Sequence, residues 1–202
     1  MGPQRLPQIA ASMLVAAALA LSATGALAAV PRESAATPEK PAFGKEDDAS
    51  YRRLREAAEA VVAVRTKALG DARSRATLGA ERTGSGIVIA PSGLVLTIGY
   101  LILEADLVEV SDASGRSLPA SVVAYDHATG FGLLRAIGPL SPKPVKLGTS
   151  GSVEQLDRVL VATGGEGGMS VATVVSRRPF AGYWEYLIDG AIFTSPARTD
   201  HS

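Results

Sequence analysis

The chain has 202 residues, of which 47% are hydrophobic and 20% charged, and its 20 basic side chains balance its 20 acidic ones. This composition is typical of a globular protein and lacks the basic surplus of proteins that bind nucleic-acid backbones. The absence of cysteine excludes disulfides, thiol nucleophiles and cysteine-ligated metals. His127 and His201 are the only histidines, so any mechanism that needs an imidazole must use one of them.

The first residues predict an export signal. A basic residue, Arg5, precedes an apolar run over residues 9–21, and Ala26-Leu27-Ala28 has the small-x-small pattern of a cleavage site. The run is shorter than the roughly 20 residues of a transmembrane helix. We therefore expect residues 1–28 to be a signal peptide and the mature protein to be periplasmic or secreted in bacteria, without an integral membrane span. An uncleaved N-terminal anchor is the alternative.

Residues 29–48 contain three prolines and many charges, and they predict a flexible tether. The next residues, 49–70, predict one amphipathic helix that ends near Gly70. We expect its apolar side to pack on the same domain, although a helix over residues 50–69 that forms oligomers is the alternative. That apolar side consists of Leu54, Ala58, Val61, Val62 and Leu69.

After residue 79 the sequence alternates short apolar segments with turn residues, which predicts an all-β barrel or sandwich. Residues 112–116 predict a hairpin, and the two prolines of residues 141–146 predict a connector between two lobes. The glycine cluster at 164–168 is followed by a strand-like segment rather than a helix, so it predicts a hairpin loop instead of a phosphate-binding loop. The predicted strands are 86–90, 94–97, 107–111, 120–124, 131–136, 158–163, 170–176 and 185–188.

The order of these segments resembles a trypsin-like serine protease of the HtrA/Deg type. Residues 83–89 (TGSGIVI) and 94–97 (LVLT) resemble the opening strands of that family, and residues 189–192 (DGAI) resemble the segment that leads to its nucleophile. The resemblance covers about residues 80–202. It implies a double β-barrel, with a first barrel over 79–140 and part of a second over 141–202. The remaining strands would belong to a longer parent chain, or a partner would complete the sheet.

The resemblance also assigns the catalytic positions one by one. The family's base lies in T-N-x-H-V-V, and here residues 97–102 place Tyr100 in the histidine position. The orienting aspartate of T-D-L-A corresponds to Gly130. Ser202 is assigned to the nucleophile position, with His201 in place of an asparagine, and Ser195 is the competing assignment.

These substitutions predict a degenerate protease scaffold, because a phenol cannot replace an imidazole as a base near neutral pH. We expect a non-catalytic, exported module that binds a peptide or an envelope protein, with no cofactor, no metal and no nucleic acid. An active serine endopeptidase in a longer parent chain is the alternative. Two further hypotheses remain weaker: a displaced base at His127 or His201, and a metal site built from these histidines with Asp126 and Asp200, whose spacing fits no known ligand pattern.

Overall fold

The computed structural model describes residues 15–17, 45–165, 168–182 and 186–196, and for residues 15–17 and 45–51 it describes the backbone alone. Three short helical segments accompany ten strands in these ranges. The strands are β1 (Val15–Ala17), β2 (Val61–Ala68), β3 (Glu81–Ala90), β4 (Leu94–Ile98), β5 (Ala105–Ser111), β6 (Ser117–Asp126), β7 (Phe131–Ala136), β8 (Arg158–Ala162), β9 (Met169–Ala181) and β10 (Leu187–Ser195). The helices are α1 (Lys45–Glu59), α2 (Arg75–Leu78) and α3 (Gly99–Ile102), with a 3₁₀ turn at Ser150–Ser152.

Strands β2 to β7 form a closed antiparallel barrel in the order β2-β3-β4-β7-β6-β5. Closure comes from β2, which pairs with β3 on one side and with β5 on the other. Alternate side chains of each strand fill the interior, and each buried valine or leucine contributes about 1.5–3 kcal/mol to folding. The prediction of an all-β barrel is thus confirmed. Its core contains Val62, Val64, Val88, Val95, Ile98, Leu101, Ile102, Val108, Val110, Leu134 and Ala136.

The prediction of a single helix over 49–70 is wrong. Helix α1 runs from Lys45 to Glu59, so it begins inside the predicted tether, and residues 61–68 form strand β2 of the barrel. The physical reason lies in the sequence VVAVRTKA, where Val62, Val64 and Thr66 point inward and the intervening side chains point outward. β-branched residues in a period of two favour a strand. The first barrel therefore begins at residue 61 rather than 79.

A second, smaller sheet has the order β1-β8-β9-β10, and all of its pairs are antiparallel. One face of β8 and β9 buries an apolar cluster of Val153, Val159, Val161, Ala172 and Val174. The loop between β8 and β9 is a hairpin connection, as predicted for the glycine cluster. Within the described ranges, the helices are too short or too polar to cross a lipid bilayer.

The two sheets meet through close backbone contacts. The N–H of Gly164 donates to Oγ of Ser85 (2.9 Å), and a Cβ atom at Gly164 would collide with the carbonyl of Val62. The connector after the first barrel returns to it, since the N–H of Val145 donates to the carbonyl of Val88 (2.9 Å). Helix α1 covers the same junction, where its Leu54, Ala57 and Ala58 line a small cavity together with Val61, Ile87, Leu160 and Ala162.

One exposed leucine has a strained backbone. Leu156 lies in the turn before β8 with φ at 76°, a left-handed conformation that a Cβ atom disfavours. Its N–H donates to the carbonyl of Val174 (2.8 Å), which fixes this turn against β9. The side chain itself is 76% exposed, so it gains little from packing.

We expect Leu156→Gly to raise the free energy of unfolding by about 1 kcal/mol, because glycine removes the left-handed strain. Leu147→Gly is the matched control, because Leu147 is 67% exposed and is not among the residues with positive φ. In Leu147→Gly, glycine increases the conformational entropy of the unfolded chain, which should lower the free energy of unfolding by about 0.5 kcal/mol. Urea denaturation of the two variants measures both effects, and a Leu156→Gly protein no more stable than its parent would refute the strain argument.

Candidate functional site

Tyr100 lies in α3, a single helical turn that follows β4 without a loop. The next two side chains, Leu101 and Ile102, are buried in the barrel core and fix this turn in place. Tyr100 itself is half-buried and packs against the same core. The position that the resemblance assigns to a histidine base therefore holds a phenol on a rigid segment.

The buried Arg82 binds the backbone of α3. Arg82 is 5% exposed, and its Nη1 donates to the carbonyls of Tyr100 (2.9 Å) and Leu103 (2.6 Å), which lie toward the C-terminal end of α3. Nη2 of Arg82 donates to Oγ of Ser74 (2.7 Å). A cation at this end of a helical turn satisfies carbonyls that have no partner within the helix. Burial lowers the pKa of Arg82, and the carboxylate of Glu104 opposes that shift.

Gly130 lies next to α3, because its carbonyl accepts a hydrogen bond from the N–H of Gly99 (2.7 Å). The structure thus brings together two of the positions predicted from the sequence, Tyr100 and Gly130. Gly130 is buried and has φ at 71°, so a residue with a side chain would be strained there. It provides no group that could orient a neighbouring side chain.

The volume beside Gly130 is filled by Tyr186, a residue that the sequence reasoning did not identify. A Cβ atom on Gly130 would lie 2.6 Å from Cγ of Tyr186, well inside contact distance. The ring comes from the connection between β9 and β10, and the next residue anchors it, since the N–H of Leu187 donates to the carbonyl of Ala128 (2.9 Å). No sequence motif marks this contact, because it joins residues 56 positions apart.

Three tyrosines, Tyr100, Tyr125 and Tyr186, lie near one another in this region. Burial raises the pKa of Tyr100, and the neighbouring Tyr186 raises it further. Burial likewise raises the pKa of Tyr186, with a smaller contribution from Tyr125. Tyr125 packs over Gly99 in the way that Tyr186 packs over Gly130. Because the pKa values of Tyr100 and Tyr186 are raised above the ordinary tyrosine value, both side chains are phenols near neutral pH. They can donate hydrogen bonds but cannot remove a proton from a serine.

Among the described residues, His127 makes no contact that supports its role as a displaced base. The ring of His127 is exposed and packs on Tyr125, with ring centroids 4.4 Å apart. The carboxylate of Asp126 is used by its own turn, where it accepts hydrogen bonds from the hydroxyl of Thr129 (2.5 Å) and the N–H of Ala128 (3.0 Å). These bonds hold the pKa of Asp126 below its usual value. Asp126 therefore stabilises the turn that carries Gly130.

Two serines, Ser195 and Ser202, are candidates for the nucleophile position, and the structure describes only Ser195. Ser195 is the exposed last residue of β10, opposite Thr173. About 25 Å of extended strand separate it from Leu187, so it lies at the opposite end of β10 from the Gly130 turn. Ser202 and the neighbouring His201 and Asp200 lie outside the described residues. Within the described ranges, acidic and histidine side chains form no cluster suited to a metal ion.

Comparison with known proteins agrees with the trypsin-like fold. A family model described as a trypsin-like peptidase domain matches residues 84–202, more than half of the chain. The curated proteins include no significant match. A solved structure titled "HtrA-type protease AlgW with tripeptide" is 20% identical, with a TM-score of 0.51 over 63% of this chain and 40% of that chain. An AlgW variant, also with tripeptide, is 18% identical, with a TM-score of 0.54 over 71% and 44%.

A third structure, the Rv3671c protease in an inactive form, is 19% identical, with a TM-score of 0.50 over 66% of this chain and 60% of that chain. At these identities the likeness shows the fold alone. The chain spans between 40% and 60% of the length of these three structures.

We expect Arg82→Met to lower the free energy of unfolding by about 3 kcal/mol, because it leaves the buried carbonyls of Tyr100 and Leu103 without a donor. Arg135→Met is the matched control, since Arg135 is exposed and makes one long contact (3.5 Å) with the carbonyl of Ser92. Its effect should stay within about 0.5 kcal/mol. Chemical denaturation compares the two, and equal effects would show that Arg82 does not hold α3.

Proposed function

The chain belongs to the trypsin-like peptidase family, and from this premise we propose that it is a non-catalytic member, exported from a bacterial cell, that binds polypeptides on the protease scaffold. The observation that carries this proposal is the joint replacement at two adjacent positions. Tyr100 stands where the family's base would lie, and Gly130, covered by Tyr186, stands where its aspartate would lie.

The first replacement removes the proton acceptor. A tyrosine with a pKa of about 10 is ionised in roughly one molecule in a thousand at pH 7, and the pKa of Tyr100 is raised further by burial and by Tyr186. Removing the base of a serine protease triad costs on the order of 10⁶ in kcat, or about 8 kcal/mol of activation free energy. A serine delivered to this position would lack the base it needs.

The second replacement, Gly130, removes the carboxylate that would orient the base, and the Tyr186 ring fills the space where that carboxylate would begin. A carboxylate at position 130 would need a Cβ atom where Cγ of Tyr186 already lies 2.6 Å away. The nearest carboxylate in the same turn, Asp126, accepts hydrogen bonds from Ala128 and Thr129. A base placed at position 100 would therefore have no carboxylate from this turn to orient it.

Polypeptide binding is supported by the family and by a similar structure that contains a peptide. Peptidases of this fold must hold an extended chain before they cut it, and a scaffold can keep binding after losing the catalytic groups. The similar HtrA-type protease AlgW was solved with a tripeptide. Export is supported by the apolar run over residues 9–21 and the Ala26-Leu27-Ala28 pattern, which place the cleavage site after Ala28.

The alternative function is an active serine endopeptidase in a longer parent chain. The observation in its favour is that the family match continues to Ser202, the residue assigned to the nucleophile position. Such an enzyme would need a base other than Tyr100.

One experiment distinguishes the proposal from this alternative. The full reading frame is expressed in a bacterial host, and the purified protein is incubated with fluorescent unfolded casein and with a fluorophosphonate probe, beside an active trypsin-like protease as the positive control. We expect saturable casein binding by anisotropy, no shortening of casein and no labelled serine. The N-terminus of the product should be Ala29, and a retained Met1 would contradict export by cleavage.

Probe labelling that disappears in Ser202→Ala, together with casein cleavage, would establish the enzyme and overturn the proposal. The absence of both binding and cleavage would refute the binding role. Tyr100→Phe is the matched control for the scaffold, because it keeps the ring and removes the hydroxyl. It should leave casein binding unchanged within about twofold.

A further inference from the structure

We infer that the outer edge of strand β8 binds an apolar polypeptide segment as an added antiparallel strand, and that the leader of the chain occupies this edge until it is cleaved. This binding mode rests on the proposed function, since it takes polypeptide binding and cleavage after Ala28 as given and assigns the binding to one place in the fold. The leader reaches the edge through β1, Val15–Ala17, which lies within the apolar run over residues 9–21.

Strand β1 is the neighbour of β8 at one edge of the second sheet. The two strands are antiparallel, and their opposed residues are Val15 with Ala162, Ala16 with Val161 and Ala17 with Leu160. On its other side β8 pairs with β9. Cleavage after Ala28 would remove β1 and leave β8 without a strand on that side, among the residues that the structure describes. Such an edge presents backbone N–H and C=O groups that can pair with another strand.

Both faces of the sheet beside this edge are apolar. Val159 and Val161 belong to the apolar cluster of the second sheet and are 4% and 1% exposed. Leu160 and Ala162 line the small cavity beside helix α1. Opposed residues of an antiparallel pair lie on the same face of the sheet, so alternate residues of an added strand would contact these two surfaces in turn. This favours a continuously apolar segment over one that alternates apolar and polar residues.

The strand that occupies the edge indicates the chemistry of the ligand. β1 belongs to a run, residues 9–21, that contains no charged residue and no proline. Folded proteins rarely expose long apolar surfaces, whereas unfolded polypeptides do expose such runs. The ligand is therefore an apolar, proline-free segment of an unfolded polypeptide. In strand addition, backbone hydrogen bonds provide affinity and contacts of alternate side chains provide selectivity.

The leader acts as an internal competitor for this edge. Because β1 and β8 belong to one chain, their pairing is intramolecular and has the advantage of a high effective concentration. A separate polypeptide has to displace β1 to reach the edge in the full chain. Cleavage after Ala28 turns β1 into part of a separate peptide that can dissociate. The polypeptide-binding edge therefore opens when the leader is removed.

A fluorescein-labelled peptide of residues 12–20, with lysines added at each end for solubility, tests the edge by anisotropy. The exported chain that begins at Ala29 should bind the peptide saturably. The full chain, made by cell-free synthesis without membranes, should bind it about tenfold more weakly, because β1 competes. A peptide N-methylated at residues 15–17 is the matched control, since it keeps the side chains and lacks the N–H donors, and it too should bind about tenfold more weakly. Equal binding of the two peptides, or equal binding by the two chains, would overturn the inference.

Disulfide capture tests the location, because the chain contains no cysteine of its own. A peptide with Ala17→Cys should form a disulfide with the exported Leu160→Cys chain, in the register of β1. Thr194→Cys is the matched control, since Thr194 is half-buried like Leu160 but lies on β10, at the other edge of the sheet. Casein binding that the peptide does not compete with, together with no capture by Leu160→Cys, would leave the proposed function standing and refute the β8 edge. Absence of binding of both casein and the peptide would refute both.

A variant of the full chain keeps the inference testable if the exported chain does not fold. Successive N–H groups of a strand point to opposite sides, so Ala16→Pro with Ala17→Pro removes a donor to β8. This double variant should bind the peptide about tenfold more tightly than the full parent chain, because β1 no longer competes. Ala35→Pro with Ala36→Pro, in the predicted tether, is the matched control and should bind like the parent. Equal binding by the two double variants would contradict the role of the leader.

Discussion

The contact between the Tyr186 ring and the backbone of Gly130 determines how the site of this protein is built. It joins the connection between β9 and β10 to the turn that precedes β7, and that turn is hydrogen-bonded to the start of α3. Because Gly130 is buried and left-handed, the contact tolerates no side chain at that position. A side chain at position 130 and the ring of Tyr186 in its present position therefore exclude each other.

The rest of the barrel fixes the backbone of α3 in place. Helix α3 is anchored from inside by Leu101 and Ile102, and the hydroxyl of Thr66 donates to the carbonyl of Leu101 (2.7 Å). Arg82 donates hydrogen bonds to the carbonyls toward the C-terminal end of α3. These contacts give Tyr100 a rigid backbone support.

Much of the barrel could be predicted from the sequence, because its strands carry β-branched residues between clear turn residues. Strand β7 was predicted at its observed limits, and the hairpin at residues 112–116 is present, with the N–H of Gly115 donating to the carbonyl of Asp112 (3.0 Å). Strand β2 was missed because Val61 and Val62 also fit the apolar side of a helix that continues from α1. Pairing with β3 and β5 decides between the two, and the sequence of a single segment does not contain that information.

Only two residues of the candidate site could be predicted from the sequence, at positions where the resemblance would place catalytic side chains. Motif comparison located Tyr100 and Gly130, and the structure places them side by side. Tyr186 could not be found in this way, because its role depends on a contact between distant parts of the chain and on the absence of a side chain at Gly130.

The most direct test of this account is an NMR measurement on the parent protein of cross-relaxation between the Tyr186 ring protons and the α protons of Gly130. The account predicts strong cross-peaks between them and an upfield ring-current shift of a Gly130 α proton. A Tyr186 ring with solvent-like chemical shifts and no cross-peak to Gly130 would contradict it, because the space beside α3 would then be open.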